Sequence, residues 1–335
     1  MKQDQSSQLL KSTSIKKKVV AAIGGNAIIQ AGESGSFEEQ FANISKTAGK
    51  IVSIISAAER FEIIALTHGN GPQVGNMAVQ QDAAASKIPP QPMHSLIAMT
   101  QGQIGYMLQQ AIQNELKTRG INKMVISIIT QTLVDKNDPE FSKDKPSKPI
   151  GPFYTLEEAQ ELSKSNNYTV AKVKPTGDRI WRRMVPSPQP LKIIETEAIK
   201  KLINDGFLVI ASGGGGIPVI QNGKGLKGVD GVLDKDVVAG LLGKSIGASI
   251  LLILTDIDQV KLNFGKPNES CISKMTLEEA KRYMGEGQFL DGSMRPKIKS
   301  SIDFLEAGGE SAIITSIDKA VDGLNGYAGT RIVAP

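Results

Sequence analysis

The sequence of 335 residues has few of the residues that build disulfides, zinc sites and base-stacking surfaces. Its one cysteine, Cys271, excludes a disulfide within the chain and suits a reducing compartment. Its two histidines, His68 and His94, leave too few ligands for a dedicated zinc site. Aromatic residues make up 4%, so there are few platforms on which nucleic-acid bases could stack. We therefore expect a cytoplasmic protein with no nucleic-acid partner.

Long apolar runs are also missing. The longest, at 248–254, has the length of a strand, whereas a membrane-spanning helix needs roughly 20 residues. The amino terminus lacks the apolar segment of a secretory signal. The first 18 residues carry five lysines against one aspartate, which accounts for most of the net charge of +5. We expect a disordered basic tail at 1–15, a folded domain at 16–335 that is nearly neutral beyond residue 18, and no membrane partner.

Three short apolar runs end in glycine. They begin at Val19, Ile63 and Phe207, and the third ends in four consecutive glycines. Glycine in such a run costs backbone entropy and adds no packing. It therefore indicates that the backbone comes close to another group, often an anion bound by bare N–H groups. The three junctions predict one crevice built for phosphate.

Strand-like and helix-like segments alternate along most of the chain. The predicted strands cover residues 19–23, 62–67, 123–130, 207–211, 249–254, 311–315 and 330–333. The predicted helices run from the capping box of Ser36 and Glu39 to about 59, from Pro72, at 94–119, at 194–205, after Asp236, at 276–286 and after Pro296. This alternation predicts an α/β fold with a mostly parallel sheet that is covered on both faces. Ligands of such sheets bind at the carboxyl ends of the strands, where the glycines lie.

Residues 135–190 interrupt this alternation. The segment is rich in proline and lysine and contains the only tryptophan, Trp181. A structureless loop of this length is unusual inside a compact domain. We therefore expect a small protruding subdomain, rich in strands, that lies over the site.

The common nucleotide-binding motifs are absent. The sequence has no P-loop, and the glycines at 69–75 are spaced one residue too far apart for the dinucleotide fingerprint. The remaining features favour phosphoryl transfer that depends on positioning and charge, with glycine N–H groups, lysines and a magnesium ion neutralising the phosphoryl oxygens. His68 lies beside the second glycine junction and is either a packing residue or a ligand contact.

Eight segments, in order and without a large gap from about residue 16 to the end, closely resemble those of carbamate kinases. They are 23–27 (IGGNA), 67–76 (THGNGPQVGN), 148–153 (KPIGPF), 181–188 (WRRMVPSP), 211–219 (ASGGGGIPV), 234–236 (DKD), 254–256 (LTD) and 292–297 (GSMRPK). The sequence departs from the family pattern at Ile180, where a glycine is usual, and Arg295 stands at a position that varies among relatives.

The resemblance implies a three-layer α/β/α sandwich with the amino-acid kinase fold, assembled as a homodimer. It implies reversible transfer of a phosphoryl group between ATP and carbamate, as in arginine metabolism, with Mg²⁺ bound mainly through the ATP phosphates. The direction of flux stays open. It also implies a carbamate-binding lobe at 16–220, which includes the protruding subdomain, and a nucleotide-binding lobe at 221–335.

The resemblance also assigns roles to individual residues. The implied catalytic residues are Lys148, Lys235, Asp236 and Lys297. The residues implied to hold carbamate and the transferred phosphoryl group are Gly24, Gly25, Asn26, Gly69, Asn70, Gly71, Gly213, Gly214, Gly215 and Gly216. The residues implied at the nucleotide are Asp234, Thr255, Asp256, Ser293 and Met294. No general base is assigned, because the carbamate oxygen is already anionic.

Two other functions stay open at this point. One is another kinase of the amino-acid kinase superfamily, acting on acetylglutamate or UMP, although the segment around Lys148 argues against it. The other is a non-catalytic nucleotide-binding sensor, in which the lysines would be dispensable.

Overall fold

The computed structural model describes residues 16–334 except 31, 58, 143–145, 167, 175 and 291. The predicted tail at 1–15 lies outside the described residues. The strands are β1 (Lys17–Ile23), β2 (Phe61–His68), β3 (Val125–Ser127), β4 (Gln131–Val134), β5 (Lys148–Tyr154), β6 (Val170–Lys172), β7 (Trp181–Val185), β8 (Pro190–Ile193), β9 (Leu208–Ile210), β10 (Ile217–Asn222), β11 (Gly225–Gly228), β12 (Ile250–Thr255), β13 (Val260–Leu262), β14 (Ser270–Ile272), β15 (Lys274–Thr276), β16 (Ser311–Ser316) and β17 (Thr330–Val333). The helices are α1 (Phe37–Ala57), α2 (Gly71–Ala84), α3 (Met93–Thr118), α4 (Leu156–Asn166), α5 (Thr196–Asn204), α6 (Lys235–Ser245), α7 (Leu277–Gly285), α8 (Met294–Glu306) and α9 (Ala320–Asn325).

Eight of the described strands form a central sheet in the order β15-β17-β16-β12-β1-β2-β9-β3. Every neighbouring pair is parallel except β16 and β17. Both faces of the sheet are buried. In β1, Val20 and Ala22 pack with α6 and α8, whereas Val19 and Ala21 pack with α1 and α3. The predicted fold class, a mostly parallel sheet between two helical layers, is confirmed.

The predicted start of α1 is also correct in its atomic detail. The Ser36 Oγ accepts from the Glu39 N–H at 3.2 Å, and the Glu39 Oε2 accepts from the Ser36 N–H at 3.0 Å. These two bonds pair N–H groups that a helix start leaves without partners. Pro296, in contrast, does not mark the start of its helix. It lies in the first turn of α8, where its missing N–H costs no hydrogen bond.

The strand predicted at 123–130 is wrong in its second half. Only Val125–Ser127 join the central sheet, and the chain then crosses into a four-stranded sheet of order β11-β10-β4-β8. At the crossing, the Gln101 side chain accepts from the Thr130 N–H at 2.9 Å and donates to the Thr130 carbonyl at 3.1 Å. A buried amide side chain therefore makes the hydrogen bonds that a neighbouring strand would otherwise make. The apolar run in the sequence gives no sign of this contact.

The segment at 135–190 contains a separate small unit. Strands β5, β7 and β6 pair in that order, all antiparallel, and α4 packs beside them. The unit contacts the body through α2 and β5, where Gly75 and Gly151 face each other. A Cβ on Gly75 would lie 1.9 Å from the Gly151 Cα, so only glycine permits this approach. The Tyr168 hydroxyl adds a hydrogen bond of 2.7 Å to Asp82 on α2.

Among the described residues, no helix combines the length and the apolar character that crossing a bilayer requires.

Candidate active site

The carboxyl ends of the central strands meet at one edge of the sheet. The Gly24 N–H donates to the Leu254 carbonyl of β12 at 3.1 Å, and the Gly69 N–H donates to the Ile23 carbonyl of β1 at 3.2 Å. The first two glycine junctions and the end of β12 therefore lie side by side. Beside them opens a cavity of about 820 Å³.

The cavity brings together many of the residues that the sequence singled out. Two come from the turn after β1, two from the end of β12, and four from the starts of α6 and α8. They are Gly24, Gly25, Thr255, Asp256, Lys235, Ser293, Met294 and Lys297. Gly25 and Asn26 are the first residues of a short 3₁₀ helix, so their N–H groups have no partner inside it. The side chain of Asn26 lies outside the described part of the structure.

Lys235, Asp236 and Lys297 form a charged cluster at the wall of the cavity. The Lys297 Nζ donates to the Asp236 Oδ2 at 2.7 Å, and the Lys235 Nζ lies 3.5 Å from the Asp236 Oδ1. The Lys235 Nζ also donates to the Ile23 carbonyl at 2.9 Å. Asp236 is almost fully buried, with 3% of its surface exposed, so it acts on the lysines and does not reach bulk solvent.

The electrostatics of this cluster keep Asp236 ionised. Burial alone would raise the pKa of Asp236, but the ammonium groups of Lys235 and Lys297 lower it to about 2. Burial lowers the pKa of Lys235, and the Asp236 carboxylate opposes that shift. The two ammonium groups and the Asp236 carboxylate thus stabilise each other's charged forms. Two positive charges against one negative charge leave net positive charge facing the cavity.

Close packing of α6 on α8 sets this geometry. Gly240 of α6 faces Ser300 of α8, and a Cβ on Gly240 would lie 2.8 Å from the Ser300 Oγ. That hydroxyl also donates to the Asp236 carbonyl. The first turns of the two helices therefore lie side by side, which places Lys297 against Asp236.

Lys148 reaches the same region from the protruding unit. Its Nζ donates to the Asp234 Oδ2 at 2.7 Å. The other oxygen of Asp234 accepts from the Asp236 N–H at 2.9 Å and caps α6. Neither Lys148 nor Asp234 lines the cavity, so the structure places them beside it. Three lysines from distant parts of the sequence thus gather around two aspartates at the start of α6.

The four glycines after β9 have a packing role. A Cβ on Gly213 would lie 2.3 Å from the His68 Nε2, and one on Gly214 would lie 2.2 Å from the Asn70 Cγ. The turn begins with Ser212 at φ 56°, in the left-handed region. These glycines are buried and do not line the cavity. The close approach that the glycine run predicted is therefore made, at Gly213 and Gly214, to side chains of the second junction.

Gly69, Asn70 and Gly71 lie between these glycines and the lysines. A Cβ on Gly69 would lie 3.4 Å from the Lys235 Cδ and 3.7 Å from the Gly25 nitrogen. The Asn70 Nδ2 donates to the Thr100 Oγ1 of α3 at 2.9 Å, which fixes the start of α2. The second junction thus supports the lysine cluster from behind.

His68 is buried against Gly213, with 1% of its surface exposed. Its Nδ1 lies 3.0 Å from the Gly69 carbonyl, so Nδ1 carries the proton that it donates. Burial lowers its pKa to about 4, and the ring is neutral at pH 7. Its place behind the glycines fits the packing alternative.

This buried histidine predicts a loss of stability in mild acid. Between about pH 6.5 and pH 4 the unfolded chain binds a proton at this ring that the folded chain does not, so the free energy of unfolding falls as the pH falls through that window. From pH 6.5 to pH 5 the loss is about 1.5 kcal/mol. Urea unfolding at the two pH values measures it, and His68→Asn should remove that part of the pH dependence. Equal losses in wild type and variant would contradict the assignment. Asp236 does not interfere, because its own contribution is lost only as the pH falls from about 4 towards 2.

Two polar residues of α1 that we did not predict support the first glycine turn. The Thr47 Oγ1 donates to the Ala27 carbonyl at 3.2 Å, and the Asn43 Nδ2 donates to the Ile28 carbonyl at 3.3 Å. Both side chains are buried. The signal in the sequence was two polar residues, four apart, on the stripe of α1 that is otherwise apolar.

Comparison with known proteins identifies the class to which this fold and cavity belong. The model of the amino acid kinase family matches residues 17–316. The chain therefore belongs to the amino acid kinase family, and the expected amino-acid kinase fold is confirmed.

Within this family, the chain is similar to carbamate kinases from several organisms. The carbamate kinase of Thermococcus kodakarensis is 50% identical over 319 residues, which cover 95% of this chain and 99% of that protein. That of Pyrococcus furiosus is 48% identical over the same shares of the two chains. The structure of the carbamate kinase from Giardia lamblia bound to AMP-PNP superposes with a TM-score of 0.86 at 42% identity, covering 96% of this chain and 100% of that one. The chain is a member of the carbamate kinases, as the eight segments indicated.

Proposed function

We propose that this chain transfers a phosphoryl group reversibly between ATP and carbamate, giving ADP and carbamoyl phosphate. The observation that carries the proposal is the cavity at the sheet edge, where the Gly24-Gly25 turn and the ammonium groups of Lys235 and Lys297 face the same space. Carbamate is proposed as the acceptor because the chain is a member of the carbamate kinases.

Charge neutralisation explains how this geometry serves the reaction. Carbamate and the ATP phosphates are both anions, so their repulsion opposes in-line attack. An opposite charge at about 4 Å is worth about 1 kcal/mol in water and about 4 kcal/mol at an effective dielectric of 20. Lys235 and Lys297 stand within a partly enclosed site and supply that charge as fixed groups. Asp236 holds both ammonium groups in place.

The proposed binding roles follow the two sides of this cluster. The turn of Gly24, Gly25 and Asn26 and the start of α2 at Gly69, Asn70 and Gly71 hold carbamate and the transferred group, and the buried glycines at 213–216 support them. Thr255, Asp256, Ser293 and Met294 hold the nucleotide, since all four line the cavity. We likewise propose a carbamate-binding lobe at 16–220, with the protruding unit within 135–190, and a nucleotide-binding lobe at 221–335.

Magnesium fits this site as an ion that arrives with ATP. Mg²⁺ in nucleotide sites is held by phosphate oxygens and water with one or two carboxylates. Among the described residues there is no cluster of three metal-ligating side chains. Asp256 and Asp318 are the carboxylates that line the cavity. Asp256 belongs to the proposed nucleotide residues, and it would hold the ion together with the phosphates. The ion, when bound, neutralises charge on the phosphates.

The test is release of ADP by the purified protein on addition of ammonium, bicarbonate and Mg-ATP. Parallel reactions with acetylglutamate and with UMP separate the other kinases of the superfamily. The proposal is supported if ADP is released with carbamate and not with acetylglutamate or UMP. Preference for either other acceptor, or ATP binding without turnover, would replace it with the superfamily or sensor alternative.

We also propose that the protein is a cytoplasmic homodimer that acts in arginine metabolism. Met99 and Tyr106 are about half exposed on one side of α3, and Met124 and Ile129 are exposed beside β3, the edge strand of the central sheet. Apolar side chains gathered at a sheet edge are typical of a self-association surface.

Tyr106→Glu should therefore convert the dimer to a monomer, because a carboxylate would be desolvated in the contact. Light scattering coupled to size exclusion measures the mass in solution. Tyr327→Glu is the matched control, since Tyr327 is 85% exposed elsewhere on the chain and should leave the dimer intact. A wild-type monomer would contradict the proposal.

A further inference from the structure

Asp234 makes two hydrogen bonds that join the protruding unit to α6. Its Oδ1 accepts from the Asp236 N–H at 2.9 Å, and its Oδ2 accepts from the Lys148 Nζ at 2.7 Å. One carboxylate therefore caps the helix that carries Lys235 and Asp236 and also contacts the lysine that β5 contributes. The resemblance assigned Asp234 to the nucleotide and gave it no part in placing Lys148.

We propose that Asp234 is a positioning residue that holds the Lys148 ammonium at the start of α6 before substrate binds. The inference rests on the proposed kinase function, because it concerns the third lysine of that reaction. A lysine ammonium has three N–H donors. One donates to Asp234, and two stay available for the reacting anions.

The backbone of Lys148 is fixed without any help from Asp234. The Ser147 Oγ donates to the Glu140 Oε2 at 2.8 Å, and Lys148 itself pairs with Val185 in the register of β5 and β7. Three residues further on, Gly151 packs against Gly75. The main chain is therefore held on both sides of Lys148.

The side chain of Lys148 is a different matter, because it has four rotatable bonds and is 27% exposed. Such a side chain samples many rotamers unless a partner selects one. Among the described residues, Asp234 is the carboxylate in ion-pair contact with it. Since misplacement of a reacting or stabilising group by about 1 Å can cost a hundredfold in rate, this contact matters for turnover.

Two substitutions separate the positioning role from the capping role. Asp234→Asn keeps an oxygen that can cap α6 but removes the charge that attracts Lys148. Asp234→Ser also caps a helix well, but its side chain is too short to reach Lys148. We expect both variants to keep the melting temperature of wild type within a few degrees. We expect kcat to fall about tenfold or more, while the KM for ATP changes by less than about twofold.

A second measurement needs no substrate. Competitive acylation of lysines, followed by mass spectrometry of the peptides, reports how firmly each amine is held. In both variants Lys148 should be labelled several-fold faster than in wild type. Lys235 and Lys297 should keep their rates, because Asp236 remains ionised beside them. Glu158→Gln is the matched control, since it breaks the pair of Arg179 and Glu158 within the protruding unit and should leave the rate at Lys148 unchanged.

Two results would overturn the inference. One is a wild-type labelling rate at Lys148 in both variants. The other is faster labelling of Lys235 and Lys297 together with Lys148, which would show that Asp234 only secures the start of α6. Since labelling is measured without substrate, it is independent of the kinase proposal. If the wild-type protein releases no ADP with carbamate, the kinase proposal is wrong. Faster labelling of Lys148 alone in the Asp234 variants would still support the contact between Asp234 and Lys148.

Discussion

We expect removal of any one of the three lysine ammonium groups to slow turnover about a hundredfold or more. Lys148→Ala, Lys235→Ala and Lys297→Ala each delete a charge that is already in place when the phosphoryl group moves, and loss of one such group typically costs a factor of a hundred to a thousand. A hundredfold corresponds to about 2.7 kcal/mol of transition-state stabilisation. The measurement is the steady-state rate of ADP release with carbamate.

The matched control for these variants is Lys200→Ala. Lys200 forms an exposed pair with Glu197 on α5, outside the cavity, so its loss should leave the rate near that of wild type. Lys235→Met adds a check on folding, because methionine retains the apolar stem that lies beside Gly69. Rates near wild type in all three alanine variants would contradict the assignment of these residues to the reaction.

We expect Gly75→Ala to destabilise the protein by about 3 kcal/mol or more, because an overpacked contact with main-chain atoms can be relieved only by moving the backbone. The new Cβ would lie 1.9 Å from the Gly151 Cα and 2.0 Å from the Gly151 nitrogen, and both are main-chain atoms. To relieve the clash, α2 must separate from β5, which also carries Lys148. We therefore expect a lower kcat as well as a lower free energy of unfolding in urea.

Gly102→Ala is the control for this second prediction. Gly102 lies in the middle of α3, and a Cβ there would meet nothing within 4 Å. Replacing a helical glycine by alanine at an open position should stabilise the protein by about 1 kcal/mol. Equal effects at positions 75 and 102 would show that the contact between α2 and β5 does not hold the protruding unit.

Local patterns in the sequence were sufficient for most strands of the central sheet, although the short β15 was missed and β3 is shorter than predicted. The apolar run before Gly24 predicted a fully buried strand, and β1 is buried on both faces. Ser36 and Glu39 predicted the start of α1, because the capping box is a contact between residues three apart. Such features depend on neighbours along the chain, and the chain alone specifies them.

The strands outside the central sheet were harder to predict. The hairpin of β13 and β14 and the pairing of β10 with β4 were missed, since these strands are short and only partly apolar. The pairing of β10 with β4 also depends on residues that are distant in sequence. The crossing at Thr130 depends likewise on Gln101, which is 29 residues away.

For the site, the residues came from resemblance and their arrangement came from the fold. The glycine junctions by themselves indicated close approach of the backbone, but not what would be approached. Only the structure shows that Gly213 and Gly214 pack against His68 and Asn70, whereas Gly24 and Gly25 open onto the cavity. A glycine has no side chain whose chemistry would indicate what it contacts. The sequence pattern therefore cannot separate a glycine that packs against a side chain from one that opens onto a ligand cavity.

The sequence by itself determined the class of fold, the order of the central elements and the family of kinases to which this chain belongs. Tertiary structure alone decided that Lys148, Lys235 and Lys297 meet around Asp234 and Asp236. The physical reason is the separation in sequence over which each interaction acts. Backbone preferences and apolar periodicity act over a few residues. The ion pairs join residues 61 or 86 positions apart, and they form only after the sheet, α6, α8 and β5 have packed.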